Sequence, residues 1–315
     1  MMNAKITKSV VVALDGSANA LKALNYLKLL FGSQHHLDVH LFHNIQGIPP
    51  ILDEESKKNP YTARQVRELD NRNKRMAKKF LSAGKKALLD IGFADDRIKT
   101  VEFSKQLGVA RDICSWSEKK NMDAIVLCTR GKGRIEAFFM GETANKVLEL
   151  SHICPVWMVK GDVRSQPVLI ALDTSDDALR AVDHAAFILA GTDCPITLFY
   201  SKRNLFRFFS KEEFESMPEL EAIWQTAAGR EIAPVMKKAI KMLISAGVDE
   251  ARISSQIIDG SHSASADILK AADHYDCGTI VMGRRGVSGV KDYTVGSVSR
   301  KVLQEFKNTA LWLVP

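Results

Sequence analysis

The sequence predicts an α/β protein of two tandem, doubly wound domains, each built on a five-stranded parallel sheet. Three observations carry that prediction. The 315-residue chain matches itself at an offset of 155–158 residues. In each half, short runs rich in Val, Ile and Leu alternate with longer amphipathic stretches, the order of strand–helix units. The short runs are apolar throughout rather than alternating with polar residues, as strands are when helices cover both faces of their sheet.

The second half shows the order most clearly. Residues 168–173 form a β-branched apolar run that reads as a strand, and Ser175 is placed to cap a helix over 176–190. A strand at 195–200 follows, then an amphipathic helix over 211–246 with Gly247 as its stop signal. Further strands are expected at 252–258, 279–282 and 310–314, and helices at 264–274 and 298–306. The first half repeats the strands near 10–15, 37–43, 98–103, 123–128 and 155–159. Val10-Val11-Val12-Ala13-Leu14-Asp15 matches Val168-Leu169-Ile170-Ala171-Leu172-Asp173, and the run ending in Trp157-Met158-Val159 matches Trp312-Leu313-Val314. A repeat of this length is a whole domain rather than a solenoid unit. The polar stretch 160–166, with Gly161 and then Pro167, marks the join, giving domains at 1–160 and 161–315.

Composition narrows the function classes. The formal charge of +7 is modest for this length, and most cations stand beside acids. The basic run from Arg72 to Lys79 follows Glu68 and Asp70 and reads as a solvated helix face; without an interleaved aromatic platform, no nucleic-acid partner is expected. No apolar stretch approaches the ~18 residues of a membrane span, so no membrane partner is expected either. No basic-then-apolar leader opens the chain, and the expected location is cytoplasmic. The cysteines, Cys114, Cys128, Cys154, Cys194 and Cys277, are odd in number and form no C-x-x-C pair. They indicate neither a disulfide framework nor a zinc site.

The chemistry-bearing pattern lies near the end of the chain. Gly283-Arg284-Arg285-Gly286 follows the strand-like run at 279–282, and after nine more residues comes Gly296-Ser297-Val298-Ser299, where a helix begins. Glycines between a strand and a helix let backbone N–H groups approach a phosphate, and the helix start adds N–H donors and a positive dipole end. Hydroxyls of Ser297 and Ser299 can donate to the same oxygens. Plainer readings stand beside this one. Gly283 and Gly286 also suit ordinary turns, Ser297 a helix cap, Asp173 a turn cap, and Arg284 and Arg285 a solvated surface. In a doubly wound sheet, ligands bind at the carboxyl ends of the strands. Asp173 and Gly283 each end a strand, which puts both on that rim.

Over nearly the whole chain, twice, the sequence resembles the universal stress protein family in its tandem two-domain form. The family's ATP-binding members carry a glycine, two residues, a glycine, nine residues, then a glycine and Ser or Thr; Gly283, Gly286, Gly296 and Ser297 meet that spacing. The resemblance implies the adenine nucleotide alpha hydrolase-like fold and an adenine nucleotide ligand, ATP, with or without magnesium. It implies that Asp173 lies by the adenosine, that Ala171, Leu172 and Ser201 line the adenine pocket, and that Gly283, Arg284, Arg285, Gly286, Gly289, Gly296, Ser297, Val298 and Ser299 hold the phosphates. It further implies that the last strands of the two halves pair, and that chains associate into a homo-oligomer. The implied role is a nucleotide-dependent stress-response regulator with an unidentified protein partner.

The first half departs from the pattern. Cys128 stands where Gly283 stands, and Glu142 where Ser297 stands. A carboxylate at a helix start satisfies the dipole itself and repels a triphosphate, by about 4 kcal/mol for unit charges ~4 Å apart at an effective dielectric near 20. Gly131, Gly141 and Asp15 persist, and Arg130, Lys132 and Arg134 keep that loop basic. The first domain therefore reads as structural or regulatory. No nucleophile–base pair or acid/base dyad has a persuasive spacing, so at most slow ATP hydrolysis is expected. Two rival classes are a scaffold that binds no nucleotide and an ATP pyrophosphatase. The second calls for an S-G-G-x-D-type loop, where this chain reads Asp173-Thr174-Ser175-Asp176-Asp177. Residues 46–61, with Pro49, Pro50 and Pro60, are expected to form a mobile loop over the rim of the first domain. Their counterpart 202–211 carries Phe206, Phe208 and Phe209, which are expected to be buried against the domain, with packing on a neighbour or a lid as the alternatives. His35, His36, His40 and His43 read as ordinary strand and loop histidines.

Overall fold

Each apolar run becomes a strand in the computed structural model, which describes residues 7–17, 19–32, 36–129, 141–202, 218–261, 263–286 and 295–315. The described residues fall into two units, one of residues before 130 together with 141–154, the other from residue 155 onward. In the first unit, β1 (Lys8–Ala13), β2 (Leu37–Ile45), β3 (Ile98–Ser104) and β4 (Ala124–Cys128) are all parallel. Strand β1 lies between β2 and β4, with Val10 in register with Val39 on one side and Ala124 on the other. Val10, Val11, Val12, Ile125 and Val126 are fully buried, which is why no polar residue alternates in these runs. The helices are α1 (Ala20–Phe31), α2 (Pro50–Lys58), α3 (Pro60–Asp90), α4 (Val109–Lys119) and α5 (Glu142–Leu150).

The second unit contains β5 (Val156–Lys160), β6 (Val168–Ala171), β7 (Ile196–Lys202), β8 (Ile253–Asp259), β9 (Thr279–Gly283) and β10 (Thr309–Val314). Its helices are α6 (Asp176–Leu189), α7 (Pro218–Ser245), α8 (Ala264–His274) and α9 (Ser297–Glu305). Strand β6 sits between β7 and β9, β7 carries β8, and β9 carries β10, all parallel. The chain runs outward from β6 to β7 and β8, then returns to β9 on the other side, so the winding reverses between β6 and β9. Strand β5 closes this sheet antiparallel to β10. The two strands that end the sequence repeats thus pair with each other, as the resemblance implied, and each repeat contributes five strands.

Local signals set the element ends. Ser175 accepts the Ala178 N–H at 3.2 Å as the cap of α6, and Gly247, with φ +94°, ends α7. Residues 46–61 differ from expectation. They hold α2 and the start of α3 rather than a loop, because Pro50 and Pro60 each occupy a first helical turn. There the missing N–H costs nothing and the fixed φ favours the helix. Asn59 between them accepts the Tyr61 N–H at 2.8 Å. The counterpart segment, with its three phenylalanines, lies outside the described residues.

The β5–β10 pair is locked by an aromatic stack. Trp157 and Trp312 are opposite in register, with ring centroids 4.0 Å apart and planes within 6°. The indole N–H of Trp157 donates to Nε2 of His184 on α6 at 3.0 Å. Full burial pushes the His184 pKa down to about 3, so the ring is neutral and accepts this bond. Unfolded, a histidine titrates near 6.5. The native state therefore binds fewer protons than the unfolded chain once the pH drops below that value, and the stability contributed by His184, full at neutral pH, drains away as pH falls toward 3. Urea unfolding at pH 7 and pH 5 should show a larger loss of midpoint for the wild type than for His184→Gln, whose amide keeps an acceptor but takes no proton.

Candidate functional site

Strand β9 ends at Gly283 against the first turn of α6. A Cβ on Gly283 would lie 2.7 Å from the Asp177 carbonyl carbon and 2.8 Å from its Cβ, so any side chain there would force the two elements apart. The chain then turns. The Arg284 N–H donates to the Val314 carbonyl at the end of β10 (2.7 Å). The Arg285 N–H and its Nε both donate to Asp177 Oδ2, at 3.1 and 3.3 Å. Asp177 is buried, and its other oxygen accepts from Arg180. The loop returns where it left. The Gly296 N–H donates to the Arg284 carbonyl at 2.8 Å, and a Cβ on Gly296 would sit 3.3 Å from Arg285 Cα. Gly289, with the rest of residues 287–294, lies outside the described residues.

Helix α9 starts at this closed neck. Gly296 is its cap and has no side chain to take an N–H. Arg300 is the first residue to bond back along the helix, to the Gly296 carbonyl at 2.9 Å. The N–H groups of Ser297, Val298 and Ser299 have no carbonyl one turn behind them in the helix. The Ser297 side chain is exposed beside them. Ser299 is buried, and its hydroxyl donates to the Gly283 carbonyl at 2.9 Å, tying the helix start to the strand end.

The other half of the candidate site is the end of β6. Ala171 and Leu172 are buried, with the Leu172 N–H donated to the Phe199 carbonyl at 2.8 Å. Asp173 follows, half-buried. Its Oδ1 accepts the Ser175 N–H at 2.9 Å and the Ser175 hydroxyl, and its Oδ2 lies where a Cβ on Gly286 would come within 2.7 Å. Asp173 and Gly286, 113 positions apart in the chain, are neighbours, and so are Gly283, Gly296 and Ser299. Ser201, at the end of β7, donates instead to Asp267 on α8 at 2.7 Å. The arginines predicted for phosphate neutralisation are placed unequally. Arg285 is half-exposed and paired with Asp177, whereas the Arg284 side chain is buried, the residue only 4% exposed. A cleft of about 650 Å³ lined by Asp162, Asp273, Gly278 and Thr309 lies at the opposite end of β9 and touches none of these residues.

The first unit holds remnants of the same geometry. Cys128 ends β4 and Gly141 caps α5 without a side-chain bond. Glu142, 81% exposed, pairs with Lys146, whose hydrogen bond holds the Glu142 carboxyl below its usual range. The acid is therefore partly answered within its own helix. Arg130, Gly131, Lys132 and Arg134 lie outside the described residues.

Two residues that organise the site escaped sequence reasoning. Asp177 looks from the sequence like a helix-start acid serving the dipole. Only the fold reveals that it also grips the Arg285 backbone. Asp267 accepts from Ser201 and from the Ser261 N–H at 2.9 Å. Its counterpart Asp112 accepts from Asn44 and from the Gln106 and Leu107 N–H groups. Asp112 and Asp267 align at the offset of 155 that also aligns the glycine loops, which is the signal that would have found them.

The close approach at Gly283 has a measurable cost. Gly283→Ala must displace Asp177 backbone and should lower stability by about 1–3 kcal/mol, as overpacking does. Gly229→Ala is the control: nothing lies within 4 Å of its would-be Cβ on α7. There the exchange should be neutral or stabilising by about 0.5–1 kcal/mol. Thermal unfolding of both variants beside the wild type separates these outcomes.

The model of the universal stress protein family matches residues 7–160 and again 165–312. A universal stress protein from Archaeoglobus fulgidus DSM 4304 superimposes with a TM-score of 0.60 at 18% identity, over 97% of each chain. A functionally unknown protein from Pseudomonas aeruginosa PAO1 does so with a TM-score of 0.54 at 15% identity, over 98% of this chain and 93% of that one. At such identities these structures speak for the fold. No curated protein matches by sequence. Two consecutive family matches, on two α/β units with the expected mostly parallel sheet, establish that the chain belongs to the universal stress protein family.

Proposed function

We propose that the chain is an adenine-nucleotide-binding regulator of the stress response that holds ATP in its C-terminal domain, residues 161–315, while the N-terminal domain, 1–160, serves a structural or regulatory role. The observation that carries this reading is the meeting of Asp173, Gly286 and the first turn of α9 around the neck formed by Arg284 and Gly296. The residues present suit an anionic tail by backbone rather than by side chain. The N–H groups of Ser297, Val298 and Ser299, the helix dipole and the exposed Ser297 hydroxyl supply donors. Arg285 starts out paired with Asp177, so a phosphate would share that cation rather than find it free. Asp173, with one oxygen held by Ser175, is positioned for the sugar end. Bound ATP would supply a polyanion that alters the rim surface seen by a protein partner. A homodimer working in the cytoplasm fits the same reading.

Titration calorimetry on the full chain tests it. ATP should bind at one site per chain, and Ser297→Glu, which copies Glu142 of the first half, should weaken binding at least about tenfold, or about 1.4 kcal/mol, without unfolding the protein. Cys128→Gly combined with Glu142→Ser should add a second site. No heat with ATP, ADP or AMP in a folded sample would refute the proposal.

A further inference from the structure

Helix α3 carries nine Lys and Arg against three Asp and Glu, a net of +6 out of +7 for the whole chain. In the sequence, Glu68 and Asp70 seem to balance the basic run. In the structure those two acids hold Arg64 and Lys74, and Asp95 holds Lys85. Arg67, Arg72, Arg75, Lys78, Lys79 and Lys86 make no ion pair among the described residues. Arg72, Arg75, Lys79 and Lys86 follow one another at three, four and seven residues, which places them on one face. At 1.5 Å per residue the row runs ~21 Å. It faces away from Ala77, Leu81, Gly84 and Leu88, the residues by which α3 is buried on its own unit.

Apolar side chains accompany the cations. Helix α2 buries no residue at all, and α3 buries none before Ala77. Of twelve large apolar side chains exposed among the described residues, six belong to this hairpin: Ile51 and Tyr61 (each 72% exposed), Leu52, Leu69, Met76 and Leu89. Leu69 and Met76 flank the cation row at a seven-residue spacing. A nucleic-acid backbone would answer only the cations and leave these side chains in water. An anionic bilayer surface answers both, with headgroup phosphates for Lys and Arg and an interface that takes up Tyr, Leu and Met. No helix among the described residues is long and apolar enough to cross a membrane, so such a contact is peripheral. We propose that the α2–α3 hairpin docks the protein on anionic phospholipid surfaces, a role independent of nucleotide binding.

Cosedimentation of the full chain with vesicles tests this. It should pellet with equimolar phosphatidylglycerol–phosphatidylcholine vesicles, not with phosphatidylcholine alone, and release as salt rises. Arg72→Glu, Arg75→Glu and Lys79→Glu together should weaken binding by about tenfold or more. Leu69→Ser with Met76→Ser should weaken it too, while Ser297→Glu should not. Circular dichroism establishes that each variant is folded, and Arg72→Gln with Arg75→Gln and Lys79→Gln is the milder set if charge reversal disturbs the helix. Three results would overturn the proposal. One is no preference for the anionic vesicles. Another is duplex DNA bound at the same salt with no loss in the Leu69→Ser, Met76→Ser protein. The third is a dimer, seen by sedimentation equilibrium, that these substitutions dissolve while vesicle binding persists.

Discussion

Strand β9 can run beside the start of α6 only because Gly283 has no side chain, and much of the candidate site follows from that contact. With α6 this close, Asp177 reaches the backbone and side chain of Arg285 and turns the loop. The turn puts Gly286 against the carboxylate of Asp173, and the Arg284 carbonyl within reach of the Gly296 N–H. Helix α9 then starts at a fixed place, tied back by Ser299 to Gly283 itself. Each step is a hydrogen bond or a contact with no room for a Cβ, so the neck is set before any ligand arrives. Such pre-organisation is what a site needs if binding is not to pay for ordering its own loop.

The two repeats keep different parts of this scheme. Both retain a buried aspartate, Asp112 or Asp267, that gathers the loop after the third strand to the end of the second. That device holds three segments together whatever occupies the rim, so it serves the fold. The features bearing on an anion have diverged: Cys128 for Gly283, Glu142 for Ser297, and Asn19 where Asp177 stands.

Strand positions were legible because a strand covered on both faces leaves an unmistakable apolar run, and duplication displayed the pattern twice. The glycine spacing was legible for a similar reason, since close backbone approaches exclude side chains. Residues 46–61 misled because prolines stop helices in the interior but favour their first turn, and Pro50 and Pro60 proved to be of the second kind. The stack of Trp157 on Trp312 could be placed only by strand order, because two residues so distant in the chain meet through the antiparallel pairing of β5 and β10.

By itself, then, the sequence determined the repeat, the strand order, the family and the glycines of the loop. Those are matters of pattern and of which side chains are missing. Tertiary structure alone decided that Asp177 meets Arg285 and that Asp95 meets Lys85, whereas Glu142 with Lys146, Glu68 with Arg64 and Asp70 with Lys74 need only one turn of helix; six cations of α3 are left facing water. The reason is physical. A charge acts through distance and dielectric, and neither exists until the chain has folded.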